Sequence, residues 1–163
     1  MRAMLLLIGG LVLLPGCSGR VSHPPPPLNK ELLVGKWKNS AEGQFIAGYE
    51  FAGDGTMKLT VLGREQPLSA RYTWSGERTL DLEFPEEAEA RQAYRAAAKA
   101  YKDQVQQRVK GKQLPDRAEA SMLAAVRDEL PARETVRVAI SEQPRLLILT
   151  GESGAPQTFE KAE

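Results

Sequence analysis

Phe45-Ile46-Ala47-Gly48-Tyr49-Glu50-Phe51-Ala52-Gly53-Asp54-Gly55-Thr56-Met57-Lys58-Leu59-Thr60-Val61 is the stretch whose reading decides the fold. Tyr49 and Phe51 fall on one face of the first run and Glu50 on the other. Met57, Leu59 and Val61 then alternate with Lys58 and Thr60. A period of two belongs to a strand with one buried and one wetted face. Gly53-Asp54-Gly55-Thr56 lies between the runs, and Asp-Gly supplies the positive φ that a tight hairpin needs. The stretch predicts two antiparallel strands.

The same pattern extends in both directions. Leu33 to Lys38 precedes it. After Gly63-Arg64-Glu65-Gln66 comes Leu68 to Trp74, with Leu68, Ala70, Tyr72 and Trp74 on its apolar face. After Ser75-Gly76-Glu77-Arg78 comes Leu80 to Phe84. Val136 to Ile140, Leu146 to Thr150 and Gln157 to Lys161 complete about eight strands. The predicted class is mainly β: an antiparallel meander closed into a barrel or left as a half-barrel. From about residue 86 to 130 the period changes to about 3.6. Glu86, Glu87 and Glu89 crowd the start of this segment, and Lys110 and Lys112 flank Gly111, as the helix dipole favours. Ala90, Tyr94, Ala97, Tyr101, Val105 and Val109 form one stripe. Asp116 and Glu119 make a capping-box pair ahead of Met122, Leu123, Val126 and Leu130, and Pro131 ends the run. The expectation is an α-helical hairpin inserted between the fifth and sixth strands. It lies against the sheet or caps one mouth of the barrel, with Tyr94 and Tyr101 seating it or standing free as a docking ridge.

The chain begins with Met1-Arg2 and an apolar run from Met4 to Leu14, followed by Leu14-Pro15-Gly16-Cys17. Eleven helical residues would cover about 16 Å, roughly half a bilayer's hydrocarbon, so this is a signal-peptide core and not a span. Leu14, Pro15, Gly16 and Cys17 resemble the lipobox of bacterial lipoproteins, in which cleavage frees the cysteine for acylation. That resemblance implies a signal peptide over residues 1–16 and membrane attachment through acylated Cys17. The expected location is the bacterial cell envelope, at the outer membrane facing the periplasm, since Ser18 is not aspartate. Residues 17–31 then carry a linker with four consecutive prolines, Pro24 to Pro27, which favour polyproline II. The twelve residues Ser18 to Asn29 would hold the domain, residues 32–163, up to roughly 35–40 Å from the bilayer.

Composition excludes several classes of function. Without the leader, which contains Arg2, the 22 basic residues become 21 against 21 acidic ones. A neutral, mixed balance argues against nucleic acid as partner and against a polybasic membrane clamp. Cys17 is the only cysteine and His23, in the linker, the only histidine. Thiol chemistry, catalysis by histidine and soft-ligand metal sites are thereby removed from the domain, and no cofactor or metal is expected. Asp81 and Glu83 share one strand face about 7 Å apart, a spacing of interest for glycoside hydrolysis. They alternate with Leu80, Leu82 and Phe84, which places them on the solvent side. Asp54 reads as a turn residue, and no phosphate loop or nucleophile elbow occurs.

Leu33-Val34-Gly35-Lys36-Trp37, Phe51-Ala52-Gly53-Asp54-Gly55-Thr56 and Tyr72-Thr73-Trp74 together resemble small lipocalin-like (calycin-type) domains of bacterial lipoproteins. The resemblance implies a barrel with the Gly-x-Trp tryptophan packed across one end. Trp37, Tyr49, Phe51, Tyr72 and Trp74 are the candidate ligand-lining residues, and a self-filled core is the plainer reading of the same set. The expected function is a lipid-anchored envelope binding module, not an enzyme, with a small apolar ligand or an envelope protein as target. A structural lipoprotein acting through its helical hairpin is the alternative.

Overall fold

Strands form where apolar and polar side chains alternate: β1 (Gly35–Asn39), β2 (Ile46–Phe51), β3 (Thr56–Val61), β4 (Leu68–Trp74), β5 (Thr79–Glu83), β6 (Arg133–Glu142), β7 (Arg145–Thr150) and β8 (Pro156–Lys161). The structure is a computed structural model and describes residues 27–62, 64, 66–111, 119–120, 122–123, 126–152 and 154–162. The expected signal peptide, with Leu14, Pro15, Gly16 and Cys17, and the expected linker as far as Pro26 lie outside the described residues. Each strand pairs antiparallel with the next, and β8 returns to β1 through Trp37–Lys161, Lys38–Glu160 and Asn39–Phe159. The expected meander is thus a closed barrel and not a half-barrel, and closure leaves no unpaired edge. Burial alternates strictly along β3 and β4. The inward rows converge on Phe51, Phe159, Leu80 and Leu147, which are almost fully withdrawn from water.

Because consecutive strands run in opposite directions, their connections alternate between the two ends of the barrel. One end carries the β2–β3, β4–β5 and β6–β7 turns, Lys161, and the 3-10 turn Lys30–Leu33 that leads into β1. The other end carries the β1–β2, β3–β4 and β7–β8 loops and the long β5–β6 insert. Leu33, expected on the first strand, instead closes the first end from within the 3-10 turn. Trp37 and the turn are held there by short-range contacts. The Trp37 indole Nε1 donates to the Leu33 carbonyl at 2.7 Å. Lys161 places its ammonium 4.5 Å over the Trp37 ring and donates to the Val34 carbonyl. Lys30 stands 4.8 Å over Trp74 on the same end. Trp37→Phe keeps the packing but leaves the buried Leu33 carbonyl without its donor. The expected cost is about 1–2 kcal/mol, read from denaturant midpoints.

The insert contains α1 (Ala88–Lys110), which buries Tyr94, Ala97, Ala98, Tyr101 and Val105 along one stripe. The stripe is the expected one, with Val109 half-exposed at its end. The expected second arm starts at Asp116, outside the described residues. Residues 119–120 and 122–123 of that arm are helical, and Met122, Val126 and Leu130 are buried. The second helix expected to run to Pro131 does not do so: residues 126–132, with Val126 and Leu130, form a non-regular segment that feeds β6, and α1 is the one long helix among the described residues. Two ion pairs tie this segment to α1: Arg95 to Glu129 at 3.0 Å and Lys102 to Asp128 at 2.7 Å. Phe45, fully buried in the β1–β2 loop, packs edge-on to Tyr94 at 5.4 Å and tilted against Tyr101 at 5.5 Å. The Tyr101 hydroxyl donates to the Gly43 carbonyl at 2.8 Å. Both tyrosines therefore seat the insert, and neither forms a free ridge. Among the described residues no helix is long and apolar enough to cross a membrane.

Candidate functional site at the capped mouth

The inward row of β6 reads Glu134, Val136, Val138 and Ile140, so the strand's own period delivers a carboxylate to the interior at the mouth. A buried carboxylate is costly unless it is paired. Arg127, on the segment that closes the mouth, supplies the partner: its Nη2 donates to Glu134 Oε1 at 2.8 Å. The Glu134 side chain is 20% exposed and that of Arg127 is 42% exposed. Gly151, after β7, makes room for the carboxylate. A Cβ there would lie 2.7 Å from Glu134 Oε1.

Around this pair lies a partly open cavity of about 90 Å³, walled by Tyr49, Leu59, Tyr94, Leu130 and Leu149. Ligand pockets run to roughly 300–1,000 Å³. As it stands the cavity has room for a few waters or one small polar group. Its electrostatics follow from poor hydration. Burial pushes the Tyr49 hydroxyl far up, helped by the Glu134 charge. Burial likewise pushes Tyr94 up to about 12, with Arg127 pulling the other way. Burial also raises the Glu134 carboxyl above its ordinary 4.5; Arg127 opposes this and Glu152 adds to it. A carboxyl raised on folding binds its proton more tightly in the native state. The stability this adds is complete below the unfolded pKa and is lost as pH rises through the raised native value. Glu134→Gln is therefore expected to be more stable than the native chain at neutral pH. Its stability should also stay flat where the native chain's declines, in denaturation series from mildly acid to neutral pH.

The five aromatic candidates occupy different places. Tyr49 stacks on Phe51 at 5.7 Å and meets Phe159 edge-on at 5.1 Å, and Phe51 meets Tyr72 at 5.2 Å. These three form a continuous chain through the barrel interior, and Tyr49 alone of the five reaches the mouth cavity. The Tyr72 hydroxyl donates to the Ala52 carbonyl at 2.6 Å, tying β4 to the β2–β3 turn. Trp37 and Trp74 sit at the opposite end, under Lys161 and Lys30.

Asp81 departs from its expected solvated place. It does point outward, yet only 8% of it is exposed. Its carboxylate accepts from Thr135 Oγ1 at 2.8 Å, Ser75 Oγ at 3.1 Å and Arg133 Nη2 at 2.6 Å. The Thr135 hydroxyl holds the carboxyl below the usual range, with Arg133 and Ser75 adding to that effect against burial. Its three donors come from β6 and from the β4–β5 turn, which is the arrangement of a strand tie. Glu83 stays exposed, so the two carboxylates do not form a reacting pair. Among the described residues no group of His, Cys, Asp or Glu side chains is placed to share a metal ion.

Glu134 and Arg127 were not among the sequence candidates. Glu134 carried a usable signal, since it stands two residues before Val136 on the core row. Arg127 carried none, because its partner depends on how the insert folds back. No protein-family model, no curated protein and no solved structure matches this chain.

Proposed function

We propose that the protein is a lipid-anchored binding module of the bacterial cell envelope, without catalytic activity, that meets its target at the capped mouth of the barrel. One observation carries this reading. The middle of the barrel is filled by its own side chains, whereas the mouth gathers a buried carboxylate, a guanidinium and two tyrosines around a partly open space. Convergent polar groups on an otherwise apolar lining are the general mark of a binding site. A filled interior favours an envelope protein, or a ligand presenting one small polar group, over a large apolar guest.

The anchor reading gains support from chain direction. The segment entering at Pro27 and Leu28 reaches β1 through the 3-10 turn, at the end opposite the insert. On this reading a chain anchored at acylated Cys17 enters the domain at the closed end, and the mouth is the end left for a target in the periplasm. The closed eight-strand meander and the Trp37 plug agree with the lipocalin-like reading of Gly35-Lys36-Trp37.

Cys17→Ser is expected to move the full chain from the membrane fraction to the soluble fraction or to leave it unprocessed. At about 0.8 kcal/mol per buried methylene, several acyl chains hold a protein effectively permanently. A processed Cys17→Ser chain that stays in membranes contradicts the anchor. Photo-crosslinkers placed on the mouth, at Arg95 and Glu152, and on the closed end, at Glu31 and Glu142, test the binding end. Adducts from the mouth positions are expected. Adducts confined to the closed end overturn the reading.

A further inference from the structure

We propose that the mouth is a site for an organic cation, a guanidinium or primary ammonium group, and that Arg127 of the chain itself occupies it as a displaceable plug. This deepens the reading of the mouth as the binding end and rests on it. Four features of the mouth support it.

Glu134 is a mostly buried carboxylate on a strand row otherwise made of Val136, Val138 and Ile140. A buried ion pair of this kind adds little stability compared with apolar residues of similar volume. The pair ties the insert to the barrel, but apolar residues would serve stability there as well, and a counter-charge for a ligand gives the carboxylate a further use. Second, the present partner comes from the non-regular segment 126–132, with a guanidinium twice as exposed as the carboxylate it meets. Arg127 can turn its head into water on its flexible stem while its backbone stays in place, as long cationic side chains do.

Third, Arg127 apart, the charged groups that act on Glu134 and Tyr94 are carboxylates. Glu152 adds its charge at Glu134, and Asp128 adds its own at Tyr94. Lys102 and Arg95 of α1 are held by Asp128 and Glu129. Fourth, the walls suit the guest. Tyr49 and Tyr94 offer aromatic rings and hydroxyl oxygens, both of which favour cations, above all in a poorly hydrated space. About 90 Å³ admits a head group and not a bulky body. The ligand would then be a small amine or guanidine, or the arginine or lysine side chain of a partner.

The test uses the full chain, purified in detergent, with methylguanidinium chloride and butylammonium chloride titrated by calorimetry. Arg127→Ala removes the plug. Arg127→Met does so while keeping the length of the stem. Either variant is expected to bind the probes about tenfold or more tightly than the native chain, which must first expel its own arginine. Arg127→Ala with Glu134→Gln should show no saturable binding. Equal binding by the single and double variants overturns the proposal, as does no binding by folded single variants. Failure of both single variants to fold also overturns it, because a plug has to be dispensable. If the probes fail while crosslinks from Arg95 and Glu152 persist, only the cation is lost. If crosslinks come solely from the closed end, the mouth itself is lost as the binding end.

Discussion

Phe45→Ala is expected to destabilise the protein by about 3–5 kcal/mol, the range for emptying a buried aromatic site. Phe45 has no exposed surface, and its ring is the contact between the β1–β2 loop and both seating tyrosines of α1. Its loss leaves a void that helix and barrel would have to collapse into from opposite sides. The effect should also be uneven. Amide hydrogen exchange in α1 is expected to rise well before that in β6 and β7, because the polar ties of the described insert residues to the barrel, the Tyr101–Gly43 hydrogen bond and the Arg127–Glu134 pair among them, are few. Phe159→Ala is the control. It removes an equally buried ring that meets Tyr49 and touches neither seating tyrosine. That variant should lose comparable stability without selectively loosening α1. A cost below about 1 kcal/mol for Phe45→Ala, or equal loosening by both variants, would show that the insert is not seated by this ring.

Gly48→Ala is the second large effect expected. Gly48 lies opposite Lys38 on β1, and the register with β3 shifts between Ile46 and Gly48. A Cβ on Gly48 would stand 2.4 Å from the Trp37 carbonyl oxygen and 3.4 Å from the Lys38 Cα. Both obstacles are backbone atoms, so no side chain can swing aside. β1 would have to move away from β2 just where β1 also pairs with β8 to close the barrel. Overpacking of this sort costs about 1–3 kcal/mol, and the backbone obstacle places Gly48→Ala at the upper end. Gly53→Ala, in the adjacent turn with nothing within 4 Å of its added Cβ, is expected to be near neutral. The measurement is the denaturant midpoint at unchanged slope. Near-neutral behaviour of Gly48→Ala would mean that the two strands are not in the close register seen here.

Glu134 and Asp81 show how far the candidate site could be read from the chain. Row parity predicts the direction of each side chain correctly: Glu134 inward, Asp81 outward. It predicts their hydration wrongly. The outward Asp81 is enclosed because Thr135 and Arg133, more than 50 positions along the chain, arrive on the adjacent strand. The inward Glu134 keeps a polar partner because the insert returns Arg127 to the mouth. Neither neighbour can be found by periodicity: the Asp81 contacts cross the whole insert, and the Arg127–Glu134 pair, seven positions apart, depends on the path of the non-regular segment between them.

The sequence by itself determined the meander, the place of its turns, the inward aromatic rows and the stripe of α1. Each of these is a local pattern whose period or turn chemistry the backbone imposes on neighbouring residues. Only the tertiary structure decided that the sheet closes, that Phe159 on the last strand comes beside Asn39 on the first, and that the insert covers the end opposite the 3-10 turn. It also decided that Glu134 and Arg127 meet in a shared cavity. Closure and capping depend on the summed twist of eight strands and on packing between residues far apart in sequence. Free energy of that kind is set by shape and distance, and no short stretch of the chain contains it.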